Sequence, residues 1–182
     1  MLWRGKSADN KQVLDAFSAS QAMIVFDLTG NILDANENFC SAMGYSLAEI
    51  VGKHHRIFCE EDYRNSQAYI DFWKSLGNGK YDAREYKRIR KDGREVWIEA
   101  SYNPICRNGK PYKVVKLATD ITAKKLKADD DKGKMNALSR SQAVIEFTPT
   151  GEILTANENF CTTLNYSLSE IVGKHHRMFC EP

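Results

Sequence analysis

Asn36-Glu-Asn-Phe-Cys40, Tyr45-Ser-Leu47 and Glu49-Ile-Val-Gly-Lys-His-His-Arg-Ile-Phe-Cys59-Glu60 decide how this chain is read. The three strings return as Asn157-Glu-Asn-Phe-Cys161, Tyr166-Ser-Leu168 and Glu170-Ile-Val-Gly-Lys-His-His-Arg-Met-Phe-Cys180-Glu181. The offset is 121 residues without a gap, and about 30 of the 43 positions from Ser18 to Glu60 match their partners from Ser139 to Glu181. A period that long exceeds the roughly 20–50 residues of solenoid and propeller repeats, so each copy reads as a domain of its own. The second copy has no counterpart to Glu61–Thr122, so it reads as about half a fold within a longer chain.

Outward from the repeat, local signals place the elements. Val13, Leu14, Ala16 and Phe17 have helical spacing, predicting a leading amphipathic helix within residues 1–20. Ala22–Leu28 and Ile32–Ala35 read as strands joined at Thr29-Gly-Asn31, a hairpin signal. Short helical pieces follow. Ser46 and Glu49 have capping-box spacing, and Gly52 stands where that helix ends. Tyr69, Phe72, Trp73 and Leu76 share one face of the longest helical pattern, stopped at Gly77-Asn-Gly79. Three strand-like runs, Tyr81–Arg90, Glu95–Ile105 and Tyr112–Ile121, are separated by Lys91-Asp-Gly93 and by Arg107-Asn-Gly-Lys-Pro111.

This order predicts an α+β domain over residues 21–122, with one five-stranded antiparallel sheet, its helices on one face and a small pocket between. Thr122 is placed to cap a polar helical connector over 123–142, and residues 143–182 form the N-terminal half of a second unit. Formal charge is only +2 with basic and acidic residues interleaved, which argues against a nucleic-acid surface. No run of 18 apolar residues exists and the first residues lack a signal-peptide core, so a cytoplasmic location is expected. Five cysteines without a CxxC pair suit reduced thiols, with Cys40 and Cys59 read as small core residues. No phosphate-binding glycine loop, metal-ligand cluster or triad-like constellation is present, so an enzyme is not expected.

The Asn-Glu-Asn-Phe-Cys and Tyr-Ser-Leu segments, Phe72-Trp73 with Leu76 and Gly79, Lys91-Asp-Gly-Arg-Glu-Val-Trp97, Asn103-Pro104 and Thr119-Asp-Ile-Thr122 together resemble the PAS sensory fold. The Gly-Lys-His-His-Arg-(Ile/Met)-Phe-Cys string resembles tandem PAS input modules of bacterial methyl-accepting chemotaxis proteins of the biofilm-dispersion and aerotaxis type. The resemblance implies a sensor of a small-molecule, redox or gas cue, relayed through the connector to a chemotaxis-type output domain and its kinase complex. It also implies haem as a cofactor, its iron held by one of His54 and His55, with FAD or no cofactor as the alternatives. Phe58, Trp73, Val115 and Leu117 are the expected apolar walls.

Asn36 and Asn38 are candidate ligand donors or caps of the following helix. Trp97 shares a strand face with Glu99, Ser101 and Asn103, a face read as lining a pocket or packing on the leading helix. Asp120 and Thr122 are candidate relay residues, the carboxylate tied to the sheet by a basic partner; a plain cap at Thr122 is the other reading. Val13, Leu14 and Phe17 suggest a homodimer through the leading helix and the sheet. A purely structural dimerisation module without ligand remains the rival function.

Overall fold

A computed structural model describes residues 7–180, so the expected start of the leading helix at residues 1–6 lies outside the described residues, as do the side chains of Val13 and Leu14. Helix α1 spans Ser7–Ser20, then β1 (Ala22–Phe26) and β2 (Ile32–Ala35) form the hairpin. The turn holds Gly30 at φ +96°, where a Cβ would lie 2.7 Å from the Trp73 ring and 2.9 Å from His54. Glycine therefore serves both the backbone and the close approach of that indole.

Helices α2 (Glu37–Met43) and α3 (Leu47–Ile50), a 3₁₀ turn (His55–Phe58), α4 (Glu61–Arg64) and α5 (Gln67–Gly77) follow. The Ser46–Glu49 capping box forms as the spacing predicts. Strands β3 (Asp82–Ile89), β4 (Glu95–Arg107) and β5 (Lys110–Asp120) complete one antiparallel sheet in the order β2-β1-β5-β4-β3. The fold class is as expected, but the last connector is tighter than the five residues read from the sequence. Asn108 at φ 51° and Gly109 at φ 75° make the turn alone, because both adopt the left-handed region at little cost.

The core lies between the sheet and the helices. Ile24 and Phe26 of β1, Val96, Ile98, Ala100 and Tyr102 of β4, and Val114 of β5 point into it from the sheet. Phe39, Met43, Ile50, Phe58, Tyr69, Phe72, Trp73 and Leu76 meet them from the helical side. Val115 and Leu117 are only half-buried on the opposite face, correcting their expected role as pocket walls; Val114, Lys116 and Ala118 are the inward set. The alternation was read correctly as period two but assigned to the wrong side.

Helix α6 spans Thr122–Ser141 without a buried residue. The second unit holds β6 (Ile145–Phe147), β7 (Ile153–Ala156), α7 (Glu158–Leu164), α8 (Leu168–Ile171) and a 3₁₀ turn at His176–Phe179. It repeats the caps of the first unit, down to the Ser167–Glu170 capping box. Its packing differs: Phe147 is 47% exposed whereas its counterpart Phe26 is fully buried. Helix α7 likewise buries no residue where α2 buries Phe39 and Met43. A two-stranded hairpin with short helices has too little surface to enclose its own apolar side.

Candidate functional site

The two adjacent histidines are sent in different directions by the backbone. His54 is extended (φ −86°, ψ 144°) and caps the 3₁₀ turn that His55 begins, so one ring stays at the surface and the other enters the core. His55 is fully buried, its Nδ1 3.0 Å from the Tyr69 hydroxyl and its Nε2 2.9 Å from the Tyr102 hydroxyl. Phe26 and Trp73 stand edge-on to it at ring-centroid distances of 5.4 Å each. The Phe58 ring packs at 6.2 Å and Cys59 Sγ lies 3.7 Å from Nδ1.

Hydrogen-bond directions follow from the fixed donors. Arg88 Nη2 donates to the Tyr102 oxygen at 3.3 Å, so the Tyr102 proton is free to donate to His55 Nε2. His55 then carries its proton on Nδ1 and donates to Tyr69, whose own proton reaches His54 Nδ1 at 3.3 Å. His54 Nε2 donates to the Thr29 carbonyl at 2.8 Å. These directions give each hydroxyl proton an acceptor and assign both tautomers. The chain runs from a buried guanidinium on β3, through the core, to the hairpin turn.

Burial pushes the His55 imidazole well below its usual value, and the positive charges of Arg88 and Lys116 act the same way. His55 is therefore neutral. Burial also raises the Tyr102 hydroxyl, to about 12, and the Cys59 thiol, so neither supplies an anion near neutral pH.

A haem iron ligand needs an imidazole nitrogen with a free lone pair. Both nitrogens of His55 are engaged by tyrosines, and both of His54 by Thr29 and by the Arg56 amide with Tyr69. The residues present do not fit axial haem ligation in this arrangement. Rings of Phe26, His55, Phe72, Trp73 and Tyr102 occupy the space between sheet and helices where the sequence suggested a pocket. An open cleft of about 520 Å³ lies outside them, lined by Leu28, Thr29, His54, Arg56, Tyr69 and Trp73.

The remaining candidates fall elsewhere. Asn36 Oδ1 accepts from Phe39 N and Met23 N, capping α2 and joining β1. Its Nδ2 donates to the carbonyls of Ser18 and Gln21, and Asn38 Nδ2 reaches Ser18 and Ala19. The pair clamps the carbonyl end of α1, a helix terminus that otherwise leaves acceptors without donors. Asn157 and Asn159 repeat the clamp on α6 through Ser139, Arg140 and Gln142. The asparagines therefore face helix ends rather than the core.

Trp97 lies half-buried on the sheet face opposite His55, with the Lys125 ammonium 5.1 Å from its ring centroid. Its backbone N–H donates to Thr122 Oγ1 at 3.0 Å, and Asp120 Oδ1 accepts from Thr122 N at 2.8 Å. Among the described residues Asp120 has no basic partner, correcting the expected ion-pair tie; the local amide satisfies it instead. Sequence reading overlooked Arg88 and Lys116 as interior residues and Tyr102 as the histidine's partner. The only signal was their parity in the strands, Tyr86/Arg88 and Val114/Lys116/Ala118.

Among the described residues no group of three or more His, Cys, Asp or Glu side chains is arranged for a metal ion, and no helix is long and apolar enough to cross a membrane.

The α+β fold and the element order define a PAS-type sensory domain. The chain belongs to the PAS family: one PAS-fold model matches residues 32–118 and a second PAS-domain model matches 141–182. It is 45% identical over 168 residues to the biofilm dispersion protein BdlA of Pseudomonas aeruginosa, a match covering 92% of this chain and 40% of that protein. It is 30% identical over 106 residues to the aerotaxis receptor of Escherichia coli, covering 58% of this chain and 21% of the receptor. The crystallised PAS domain of a Colwellia psychrerythraea protein aligns with a TM-score of 0.55 at 26% identity, over 63% of this chain and 98% of that domain. The chain thus spans less than half the length of the two curated relatives.

Proposed function

We propose that the first unit is the sensing half of a signal-transduction module and that α6 carries its state to the second unit and onward to a chemotaxis-type output. The observation that carries this reading is the double duty of β4. Its Tyr102 hydroxyl joins the buried hydrogen-bond chain, while the Trp97 amide five residues earlier holds Thr122 at the start of α6. A strand bonded on both sides moves as a unit, so a shift at Tyr102 reaches the first turn of α6. The Asn157–Asn159 clamp then receives the other end of the same helix. Likeness to a biofilm dispersion protein and an aerotaxis receptor supports a chemotaxis-type output; a location in the cytoplasm and pairing of two copies through α1 and the sheet are part of the same reading. No catalytic role is proposed.

The test is amide hydrogen exchange on the 182-residue chain and its Tyr102→Phe variant. Faster exchange at Trp97 and at 123–126 in the variant supports the relay. If the variant loses stability while those amides keep wild-type exchange, β4 does not couple the core to the connector.

A further inference from the structure

The two ends of the first unit's sheet treat their cations differently. At the β3–β4 turn, Arg90 and Arg94 pair with Asp92, and Lys91 pairs with Glu49. At the opposite end, Arg107 and Lys110 flank the β4–β5 turn and Lys113 follows on β5, and none of the three pairs with a described carboxylate. Other elements bring charge to the same place. The chain after α5 packs on this turn, where a Cβ on Gly79 would lie 3.3 Å from Pro111, and the exposed Lys80 comes next. Phe26 is opposite Val114, so the β1–β2 turn leaves the sheet beside Lys113. Exposed Arg56 and Lys74 line the open cleft of about 520 Å³ against that turn. Like Lys80, they have no ion-pair partner among the described residues.

The carboxylates near these residues in the chain are taken up locally. Asp27 accepts from the Thr29 amide at 2.9 Å and from Asn31 Nδ2 at 2.7 Å, Asp71 accepts from Gln67 at 3.0 Å, and Asp82 pairs with Arg84 at 3.0 Å. Apolar surface lies among the cations. Ile70 in the cleft is 58% exposed and Tyr81 is 74% exposed. Tyr112 is exposed too, with Arg107 4.8 Å and Lys113 5.4 Å from its ring centroid. A lone surface cation is ordinary, but six of one sign at one end set up a field that draws an anionic partner and speeds its association.

We infer that this end of the first unit is a docking surface for an acidic, partly apolar segment of another protein. Its carboxylates meet Arg107, Lys110 and Lys113, and an apolar side chain enters the cleft beside Leu28 and Ile70. The concavity favours a peptide over a bilayer, because a flat surface leaves the cleft at Arg56 and Lys74 unfilled. The complement does not come from a second copy of the described chain, whose two runs of three carboxylates are engaged or outweighed. In Glu60–Asp62, Lys87 and Arg64 pair the first two; Asp129–Asp131 lie among Lys127, Lys132 and Lys134, the last paired with Asp130. The surface lies outside the packed core and stands apart from the sensing reading.

Fluorescence anisotropy on the 182-residue chain tests this with three labelled probes: the peptide Glu-Asp-Glu-Leu-Glu-Asp-Glu, the same peptide with serine at its centre, and heptaglutamate. The leucine peptide should bind saturably below about 1 mM, at least roughly fivefold tighter than the other two, and more weakly as sodium chloride is raised. Lys110→Glu with Lys113→Glu should weaken it roughly tenfold. The same charge change on α6, Lys124→Glu with Lys127→Glu, should leave it unchanged. Ile70→Ser should bring the leucine peptide down to the affinity of the serine peptide. Circular dichroism checks that each variant folds, and Arg107→Glu replaces the Lys110 and Lys113 pair if that variant does not.

No saturation with the leucine peptide at about 1 mM overturns the surface. So does equal binding of all three probes, which would make the patch a general attractor of polyanions. Binding that survives the charge reversal, or a leucine preference unchanged in Ile70→Ser, overturns it as well. Vesicles of phosphatidylglycerol and phosphatidylcholine are sedimented with the chain in parallel. Uptake by the anionic vesicles that is lost in the charge-reversed variant, with no binding of the leucine peptide, assigns this end to a membrane surface instead.

Discussion

His55 Nε2 and the Tyr102 hydroxyl, 47 residues apart in the chain, meet at 2.9 Å inside the first unit and join its helical layer to the middle of its sheet. Removing the tyrosine hydroxyl leaves an imidazole nitrogen and an Arg88 N–H without partners in a buried setting. Tyr102→Phe is therefore expected to lower unfolding stability by about 1–3 kcal/mol, measured by urea denaturation. A change within error would mean that water replaces the hydroxyl.

Acid should weaken the same contact. The folded imidazole stays neutral because burial depresses its proton affinity, whereas the unfolded one takes up a proton as pH falls through 6.5. The unfolded state then binds more protons, so stability present above pH 6.5 is lost below it, until the folded ring itself titrates. Stability is therefore expected to fall from pH 7.5 to 5.5, with His55 contributing to the loss. His54 is also depressed, first by burial, and contributes in the same direction. Denaturation curves at the two pH values check this, and His55→Leu, if it folds, should flatten the dependence.

Gly30→Ala tests the hairpin. The added methyl meets Trp73 and His54 below 3 Å while the backbone sits at φ +96°, so strain and clash act together. A loss of about 2–3 kcal/mol is expected by denaturation, with a changed near-ultraviolet circular dichroism signal from Trp73.

Asn36→Ala removes the acceptor shared by Met23 and Phe39 and the donor to the end of α1, with an expected cost of about 2 kcal/mol. Asn157→Ala in the second unit should speed amide exchange in the last turn of α6 while leaving the first unit's unfolding unchanged. Equal effects on both units would show that the clamp is not local.

Thr122→Val keeps the shape of the side chain but deletes the acceptor of the Trp97 amide. The expected result is a loss of about 1 kcal/mol and faster exchange at Trp97 and at Lys125, whose amide donates to the Ile121 carbonyl at 2.9 Å. Unchanged exchange would place the start of α6 under the control of Lys125, which pairs with Glu85 and lies over Trp97.

What the sequence determined by itself was everything carried by neighbours along the chain. The repeat, the Ser46–Glu49 box, the Asn108-Gly109 turn and the run of strands after α5 depend on residues a few positions apart, and each is present in the structure. Together with the motif resemblance they were enough for the fold class. Tertiary structure decided which side of each strand is inside. Period two divides β5 into Val115/Leu117 and Val114/Lys116/Ala118 but does not say which set meets the helices, and a lysine is a poor advertisement for an interior position. It also decided that His54 and His55 part company, since an extended cap followed by a 3₁₀ turn separates rings that adjacency in sequence places together. The partners of His55 come from α5 and β4, far along the chain, so its engagement by two hydroxyls was fixed only when the sheet closed against the helices.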